Sequence, residues 1–133
     1  MVKPEVEKIL EINDAIAELA TLKRSLDNQT VDIAERMRVI AARIELDIAT
    51  ATDEDGKRCY SNEDMRRATR TLRLDEDKEY QALKQNHRLM DEKRSQIIIE
   101  HNRLVYQRQV LILALGIDPE SLSRYFPDEV IPS

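Results

Sequence analysis

Apolar residues recur at a seven-residue spacing through the first third of the chain, and this pattern limits the fold more than any other feature. Two such series, offset by three residues, consist of Ile9, Ile16, Lys23, Thr30, Met37 and Ile44, and of Ile12, Leu19, Leu26, Ile33, Ile40 and Asp47. Nine of these twelve positions are apolar. This offset is typical of the a and d positions of a coiled coil. The pattern predicts one long helix over residues 4–49 with a single buried stripe, called here the α1 seam.

Residues 27–30 are weak helix formers in the middle of this pattern. A break at this point is one reading. The heptad phase is the same on both sides, however, and a loop would have no reason to preserve it. We therefore expect the helix to continue through this stretch.

A turn followed by a second long helix is predicted next. Residues 50–60 include the turn dipeptide Asp55-Gly56. Ser61 with Asp64 three residues later resembles a capping box, which places the second helix over residues 62–115. The acidic run at residues 75–77 is able to cap this helix again after a kink. Gly116 is a natural stop at its C-terminus.

The second helix also has a heptad stripe, formed by Leu83, Met90, Ile97, Leu104 and Leu111. Its companion series is mostly polar and consists of Tyr80, His87, Arg94, His101, Arg108 and Leu115. From residue 97 onward the apolar surface widens beyond what one neighbouring helix can cover. The turn length predicts that the two helices fold back on each other. The fold class expected is therefore all-α, a long antiparallel helical hairpin over residues 1–116 that assembles into a helical-bundle oligomer.

Composition agrees with this class. Ala, Glu, Lys, Leu and Arg make up 60 of the 133 residues, close to the share found in long helices. Two glycines and four prolines are too few to join the many strands of a sandwich or barrel.

The expected oligomer interface at the open end of the hairpin comprises Val6, Ile9, Ile97, Leu104, Leu111 and Leu113. Residues 117–133 form a tail with a short helix, and its docking residues are Leu122, Tyr125 and Phe126.

A local basic patch stands out in a chain of net charge −5. Residues 57–73 contain two carboxylates and six cations, which are called here the basic surface: Lys57, Arg58, Arg66, Arg67, Arg70 and Arg73. Such a set suits an acidic protein surface or nucleic-acid phosphates. The alternative is an exposed helix whose arginines pair with neighbouring carboxylates. Tyr60 is the single aromatic residue nearby, so base stacking has weak support.

Catalytic and metal-binding motifs are absent from the sequence. His87 and Asp91 lie four residues apart and are able to share a metal, but no cluster completes a site. No phosphate loop, nucleophile elbow or Cys–His pair is present. We expect a protein without enzymatic activity, metal or cofactor.

The cellular setting expected is the cytoplasm. Cys59 is the single cysteine, which fits a reducing compartment. The first residues lack the apolar region of a signal peptide, and no apolar run is long enough to span a membrane.

The turn region resembles small helical proteins of bacterial and prophage genomes. The residues that match are Asp55-Gly56-Lys57-Arg58-Cys59-Tyr60-Ser61-Asn62-Glu63-Asp64-Met65-Arg66-Arg67-Ala68 and Tyr80-Gln81-Ala82-Leu83. The resemblance covers residues 50–85 and implies a helical hairpin. A mobile-element setting makes DNA metabolism or interference with a host complex natural roles. Cys59 departs from the pattern, where a basic or polar residue is expected, and the acidic tail is not part of it.

The sequence thus predicts a non-catalytic, homo-oligomeric binding or assembly module. Its basic surface meets an unidentified protein partner or nucleic acid. One alternative is a DNA- or RNA-binding accessory factor of phage-type DNA metabolism. Another is an acidic inhibitor that occupies the nucleic-acid groove of a host complex, in which case the carboxylates on the outer helix faces are the working surface.

Overall fold

The computed structural model describes residues 4–116, which form three α-helices. Helix α1 spans Pro4–Thr50, α2 spans Glu63–Glu76 and α3 spans Lys78–Ala114. Within the described residues the chain forms no strand, so the all-α prediction is confirmed. None of the described helices has an apolar stretch long enough to cross a lipid bilayer. The predicted tail, with Leu122, Tyr125 and Phe126, lies outside the described residues.

Helix α1 is continuous through residues 27–30. Eleven of the twelve predicted positions of the α1 seam are buried or half-buried. The exception is Asp47, which is exposed, while the next residue, Ile48, is buried. An α-helix has 3.6 residues per turn, so a strict seven-residue repeat drifts around a straight helix by about 20° per heptad. Over five heptads this drift moves the buried position by one residue.

The chain divides into two compact units, each containing part of α1 and part of α3. Among the described residues, the first unit comprises residues 4–27 and 92–116. Its core consists of Ile12, Ile16 and Leu104, with Leu19 and Leu111 packed against it. Arg108 donates a hydrogen bond to the Asn13 side-chain oxygen at 2.9 Å.

The second unit comprises residues 28–91. Its core contains five buried residues, which are Ile40, Ile44, Ile48, Leu74 and Leu83. Leu74 comes from α2 and Leu83 from α3, so all three helices contribute to it. Tyr60 and Tyr80 pack at its edge.

The segment predicted as one helix over residues 62–115 is divided at Asp77. Asp77 has a non-helical ψ of 113°, and its backbone N–H bonds the Arg73 carbonyl and so closes α2. Its carboxylate accepts a hydrogen bond from the Tyr80 backbone N–H at 2.7 Å, which caps the start of α3. The acidic run at residues 75–77 therefore does cap the chain again after a kink.

The sequence predicts a helix N-cap at Ser61 and a helix stop at Gly116, and the backbone tests both. The N-cap of α2 is Asn62 and not Ser61, because the Asn62 side chain accepts from the Met65 N–H at 2.7 Å. Gly116 has a φ of +68°, the left-handed conformation of a helix C-terminal stop. The predicted stop at Gly116 is confirmed.

A charged cluster lies inside the first unit, on the α1 seam. Lys23 is only 6% exposed, and its ammonium contacts the Asp27 carboxylate at 2.9 Å. The second carboxylate oxygen of Asp27 contacts Arg94 of α3, also at 2.9 Å. One carboxylate therefore balances two cations, one of which is almost excluded from water.

His101 is the second buried polar residue among those described. It is 3% exposed, and its Nε2 atom has no hydrogen-bond partner. Its other ring nitrogen lies 3.4 Å from the Asn102 side-chain oxygen, a long contact. A buried polar atom without a partner lowers the stability of the folded state.

Asp27→Asn tests the charged cluster. The substitution removes the negative charge that Lys23 and Arg94 share, so we expect the free energy of unfolding to fall by about 2 kcal/mol in urea denaturation. The control is Glu35→Gln, which breaks the exposed pair with Arg38 and should cost about 0.5 kcal/mol or less. Equal losses for the two variants would contradict a stabilising role for Asp27.

His101→Leu tests the unpartnered nitrogen. Leucine fills much of the same volume without a polar atom, so we expect the free energy of unfolding to rise by about 1 kcal/mol. His87→Leu is the control, because His87 is half-buried and its Nδ1 already contacts Asp91 at 3.4 Å. The control should show no gain in the same urea titration. A loss of stability in His101→Leu would mean that the ring makes a favourable polar contact.

Candidate functional site

The turn between α1 and α2 is fixed by its own hydrogen bonds. The Asp53 carboxylate accepts from the backbone N–H groups of Asp55 and Lys57, both at 2.9 Å. Gly56 follows with a φ of +76°, a conformation that side chains with a Cβ disfavour. The Cys59 N–H bonds the Ala51 carbonyl at 3.0 Å and closes the base of the turn. The predicted turn at Asp55-Gly56 is therefore confirmed, and it holds Lys57 and Arg58 on a defined backbone.

Tyr60 connects this turn to two arginines of α2. Its backbone carbonyl accepts from the Arg66 guanidinium at 3.3 Å. Its hydroxyl accepts from Arg73 at 3.2 Å, and the Arg73 guanidinium carbon lies 5.8 Å from the ring centroid. Such a cation–π arrangement holds ring and guanidinium together. Tyr60 thereby positions both ends of the arginine face of α2.

The two remaining arginines of α2 pair with carboxylates. Arg70 forms an ion pair with Glu45 of α1, and both side chains are partly exposed. Arg67 contacts Glu63 one turn earlier at 3.5 Å, and its side chain is 71% exposed. Pairing with Glu63 was part of the alternative interpretation of these arginines, whereas the contact of Arg70 with α1 was not foreseen.

These side chains line an open cleft of about 370 Å³ in the second unit. Its walls are Glu45, Ile48, Ala49, Glu63, Arg66, Arg67 and Arg70. Three guanidinium groups and two carboxylates therefore surround an apolar floor. A guanidinium offers a planar fork of N–H donors, and such a group recognises a carboxylate or phosphate in bidentate geometry.

Helix α2 is oriented with its arginines toward the rest of the unit. Arg66, Arg70 and Arg73 recur at a spacing that places them on one helix face, and all three are half-buried. On the opposite side of the helix, Met65 is 45% exposed and Leu72 is 56% exposed. Apolar periodicity alone would have buried that side. In the observed orientation the arginines contact Tyr60 and Glu45 instead.

Only three of the six residues of the basic surface are exposed to solvent. Lys57, Arg58 and Arg67 are exposed, and among the residues described Lys57 and Arg58 form no side-chain ion pair. The turn also has a run of three acidic residues at 53–55 next to these cations. The surface offered to a partner therefore alternates in sign.

The residues predicted for the oligomer interface are mostly packed inside the first unit. Ile9 and Leu104 are 3% and 8% exposed. Val6, Ile97 and Leu111 are half-buried. Leu113 alone of the six is strongly exposed, at 63%. Ile9 and Leu104 are therefore corrected to core residues, because the seam and the stripe of α3 each already have an intramolecular neighbour.

The widening of the apolar surface from residue 97 was predicted, but the division of that surface into a buried face and an exposed face of α3 was not. Besides Leu89, the exposed large apolar residues of α3 are Ile99 at 68%, Tyr106 at 70%, Val110 at 47% and Leu113 at 63%, and we call these four the α3 outer stripe. They recur at helical spacing, so a helical wheel centred on residue 99 would have found them as a second face opposite the heptad stripe.

No metal-ligand group forms around the histidines. His87 contacts Asp91, as their four-residue spacing allows. Within residues 4–116, no three His, Cys, Asp or Glu side chains come together closely enough to hold a metal ion. Cys59 is an exposed free thiol.

Comparisons with protein-family models, with curated proteins and with solved structures return no match.

Tyr60 is the residue on which the site geometry depends most. Tyr60→Phe removes the oxygen that accepts from Arg73, so we expect a loss of about 0.5–1 kcal/mol in the free energy of unfolding. Tyr60→Ala also removes the ring that packs on the core of the second unit, so we expect a larger loss, about 2 kcal/mol. Urea denaturation of both variants measures the two contributions. Equal losses would mean that packing of the ring has no role.

Proposed function

We propose that this protein is a non-catalytic binding and assembly module, built as an antiparallel helical hairpin. Its basic surface (Lys57, Arg58, Arg66, Arg67, Arg70 and Arg73) binds an acidic partner protein. The observation behind the proposal is the cleft in which Arg66, Arg67 and Arg70 surround an apolar floor. We also propose that the protein acts in the cytoplasm.

Pair contacts in the first unit support the antiparallel arrangement. Asn13 contacts Arg108, and Asp27 contacts Arg94. The residue number rises along α1 between these contacts while it falls along α3. Two helices that run in opposite directions have this order of contacts.

Preorganisation of the arginines supports a binding role. Arg66 donates to the Tyr60 carbonyl, and Arg73 donates to the Tyr60 hydroxyl. Ordering a long side chain upon binding costs about 0.5–1.5 kcal/mol, and a guanidinium already held in place avoids part of this loss. A carboxylate of the partner can then bind between arginines whose positions change little.

The charges and aromatic residues of the site favour a protein over nucleic acid as partner. Glu45 and Glu63 stand within the cleft, and the acidic run at residues 53–55 adjoins it. These carboxylates repel the fixed array of phosphates on a nucleic-acid backbone, whereas the flexible side chains of an acidic peptide can be directed away from them. Tyr60 is half-buried and contacts Arg73, so its ring is not free to stack on a base.

Fluorescence anisotropy tests the proposal with two labelled probes, a polyglutamate peptide and a DNA oligonucleotide in single- and double-stranded form. The variant to compare is the triple substitution Lys57→Glu, Arg58→Glu, Arg67→Glu, which reverses the outward cations and leaves the contacts of Tyr60 in place. Three exposed pairs at about 0.5 kcal/mol each sum to about 1.5 kcal/mol, so we expect the variant to bind polyglutamate roughly tenfold more weakly at low salt.

The matched control reverses three exposed cations elsewhere in the second unit: Lys78→Glu, Lys84→Glu and Arg88→Glu. It has the same net charge as the test variant and should retain most of the affinity. Tighter binding of DNA than of polyglutamate, lost in the test variant, would favour the nucleic-acid alternative. The binding proposal fails if neither probe binds, or if both variants lose affinity equally.

Glu45→Gln examines the cleft itself. Glu45 competes with any external carboxylate for Arg70, and the amide removes that competing charge. We expect polyglutamate to bind about threefold to tenfold more tightly, with circular dichroism unchanged. Weaker binding would mean that Glu45 contributes by holding Arg70 in position and does not compete for it.

A further inference from the structure

Helix α3 has apolar residues on two opposite faces in the first unit. Leu104 and Ile112 are buried, and Leu104 packs with α1. The α3 outer stripe (Ile99, Tyr106, Val110 and Leu113) lies on the other side of the helix and is exposed. A helix that is apolar on all sides is normally enclosed by neighbours. In the described part of the chain α1 covers one side, and the other is left to solvent.

Charges are scarce along this part of α3. Residues 95–116 contain only three, Glu100, Arg103 and Arg108, whereas residues 78–94 contain eight. Arg103 donates a 2.9 Å hydrogen bond to Glu100, and this bond lowers the pKa of the Glu100 carboxyl, so the pair stays ionised and neutral overall. Arg108 is engaged with Asn13. Depletion of charge around exposed aromatic and aliphatic residues is typical of the centre of a protein interface.

Three of the four residues of the stripe are symmetrically spaced, and the fourth, Val110, is opposite Asn102 in an antiparallel register centred on Tyr106. Ile99 and Leu113 each lie seven residues from Tyr106. Two copies of α3 that cross antiparallel at Tyr106 therefore place Ile99 of one against Leu113 of the other, and the reverse. This is the self-complementary pattern that a two-fold interface requires.

Charge also selects this orientation. In the antiparallel register, Arg103 of one copy faces Gln109 of the other and no two like charges are opposite. In a parallel, in-register pair, Arg103 would face Arg103 and Glu100 would face Glu100. Like charges at opposing positions are destabilising.

We propose that the α3 outer stripe binds a second copy of this chain, in an antiparallel pairing of the two α3 helices with Tyr106 at the two-fold axis. The inference deepens the assembly part of the proposed function and rests on it, while it moves the interface away from Ile9 and Leu104. The stripe spans about 21 Å at roughly 1.5 Å per residue. A single row of that length is below the standard interface of about 800 Å² per partner, so the dimer is reversible.

Cysteine cross-linking of the full-length chain tests the pairing. In a Cys59→Ser background, we expect Tyr106→Cys alone to form a disulfide-linked dimer under mild oxidation, because the two copies meet at this residue. Ile99→Cys alone and Leu113→Cys alone should not form one. An equal mixture of Ile99→Cys and Leu113→Cys should link as a heterodimer. Linking of each single variant to itself, with none in the mixture, would indicate a parallel pair and overturn the proposal.

Sedimentation equilibrium measures the same interface without cross-links. We expect Tyr106→Glu to raise the dimer dissociation constant at least tenfold, because two carboxylates would meet at the axis. Leu89→Glu is the matched control, an exposed apolar residue of α3 outside the stripe, and should leave the constant unchanged. An unaltered dimer in Tyr106→Glu would overturn the proposal.

A monomeric wild-type chain at about 200 μM would also overturn it. If Tyr106→Cys is then protected from maleimide, the stripe is covered by residues 117–133 instead of a second copy. Polyglutamate binding distinguishes failure here from failure of the binding role, because the basic surface lies in the other unit. A monomer that binds polyglutamate refutes only the dimer.

Discussion

The α1 seam is the constraint on which the rest of the structure depends. One uninterrupted helix supplies buried isoleucines to the cores of both compact units. Because the seam is a narrow stripe, each unit has to complete its core with residues from later in the chain. In the first unit α3 supplies Leu104, and in the second α2 supplies Leu74 and α3 supplies Leu83. The positions of the break at Asp77 and of the turn near Gly56 follow from bringing those residues to the seam.

The orientation of α2 is not the one that apolar patterning predicts, because its arginines and not its apolar residues face the rest of the unit. Burying Met65 and Leu72 would gain hydrophobic free energy, about 1.5–3 kcal/mol for each side chain fully removed from water. The observed orientation leaves both exposed and gives guanidinium groups the carbonyl, hydroxyl and ring of Tyr60 and the carboxylate of Glu45. Leu74 still reaches the core, so one apolar anchor is kept. These contacts hold the arginine side chains of α2 in place within the folded chain.

The sequence was informative where one local rule had no competitor. The continuity of α1, the turn at Gly56 and the stop at Gly116 each depend on a repeat or a glycine conformation within a short window. It was less informative where two options differ by one residue, as in the choice of Asn62 over Ser61 as N-cap. It failed where a contact joins residues far apart, as with Arg70 and Glu45. The neighbours of Ile9 and Leu104 could not be predicted for the same reason, because periodicity shows which residues share a face and not which neighbour covers it.

Polar contacts inside the first unit explain why α1 and α3 pack in a single alignment although the seam is a regular repeat. Heptad-spaced isoleucines pack almost equally well after a slip of seven residues, so the apolar contacts alone leave the alignment of α1 and α3 weakly specified. Asn13 and Asp27 lie fourteen residues apart on α1, and their partners Arg108 and Arg94 lie fourteen residues apart on α3. The same alignment satisfies both pairs, and a seven-residue slip breaks both. It would also leave Lys23, with its 8% exposed side chain, beside a carboxylate that has lost its second cation. The half-buried polar pairs between the two helices therefore select the register that the isoleucines stabilise.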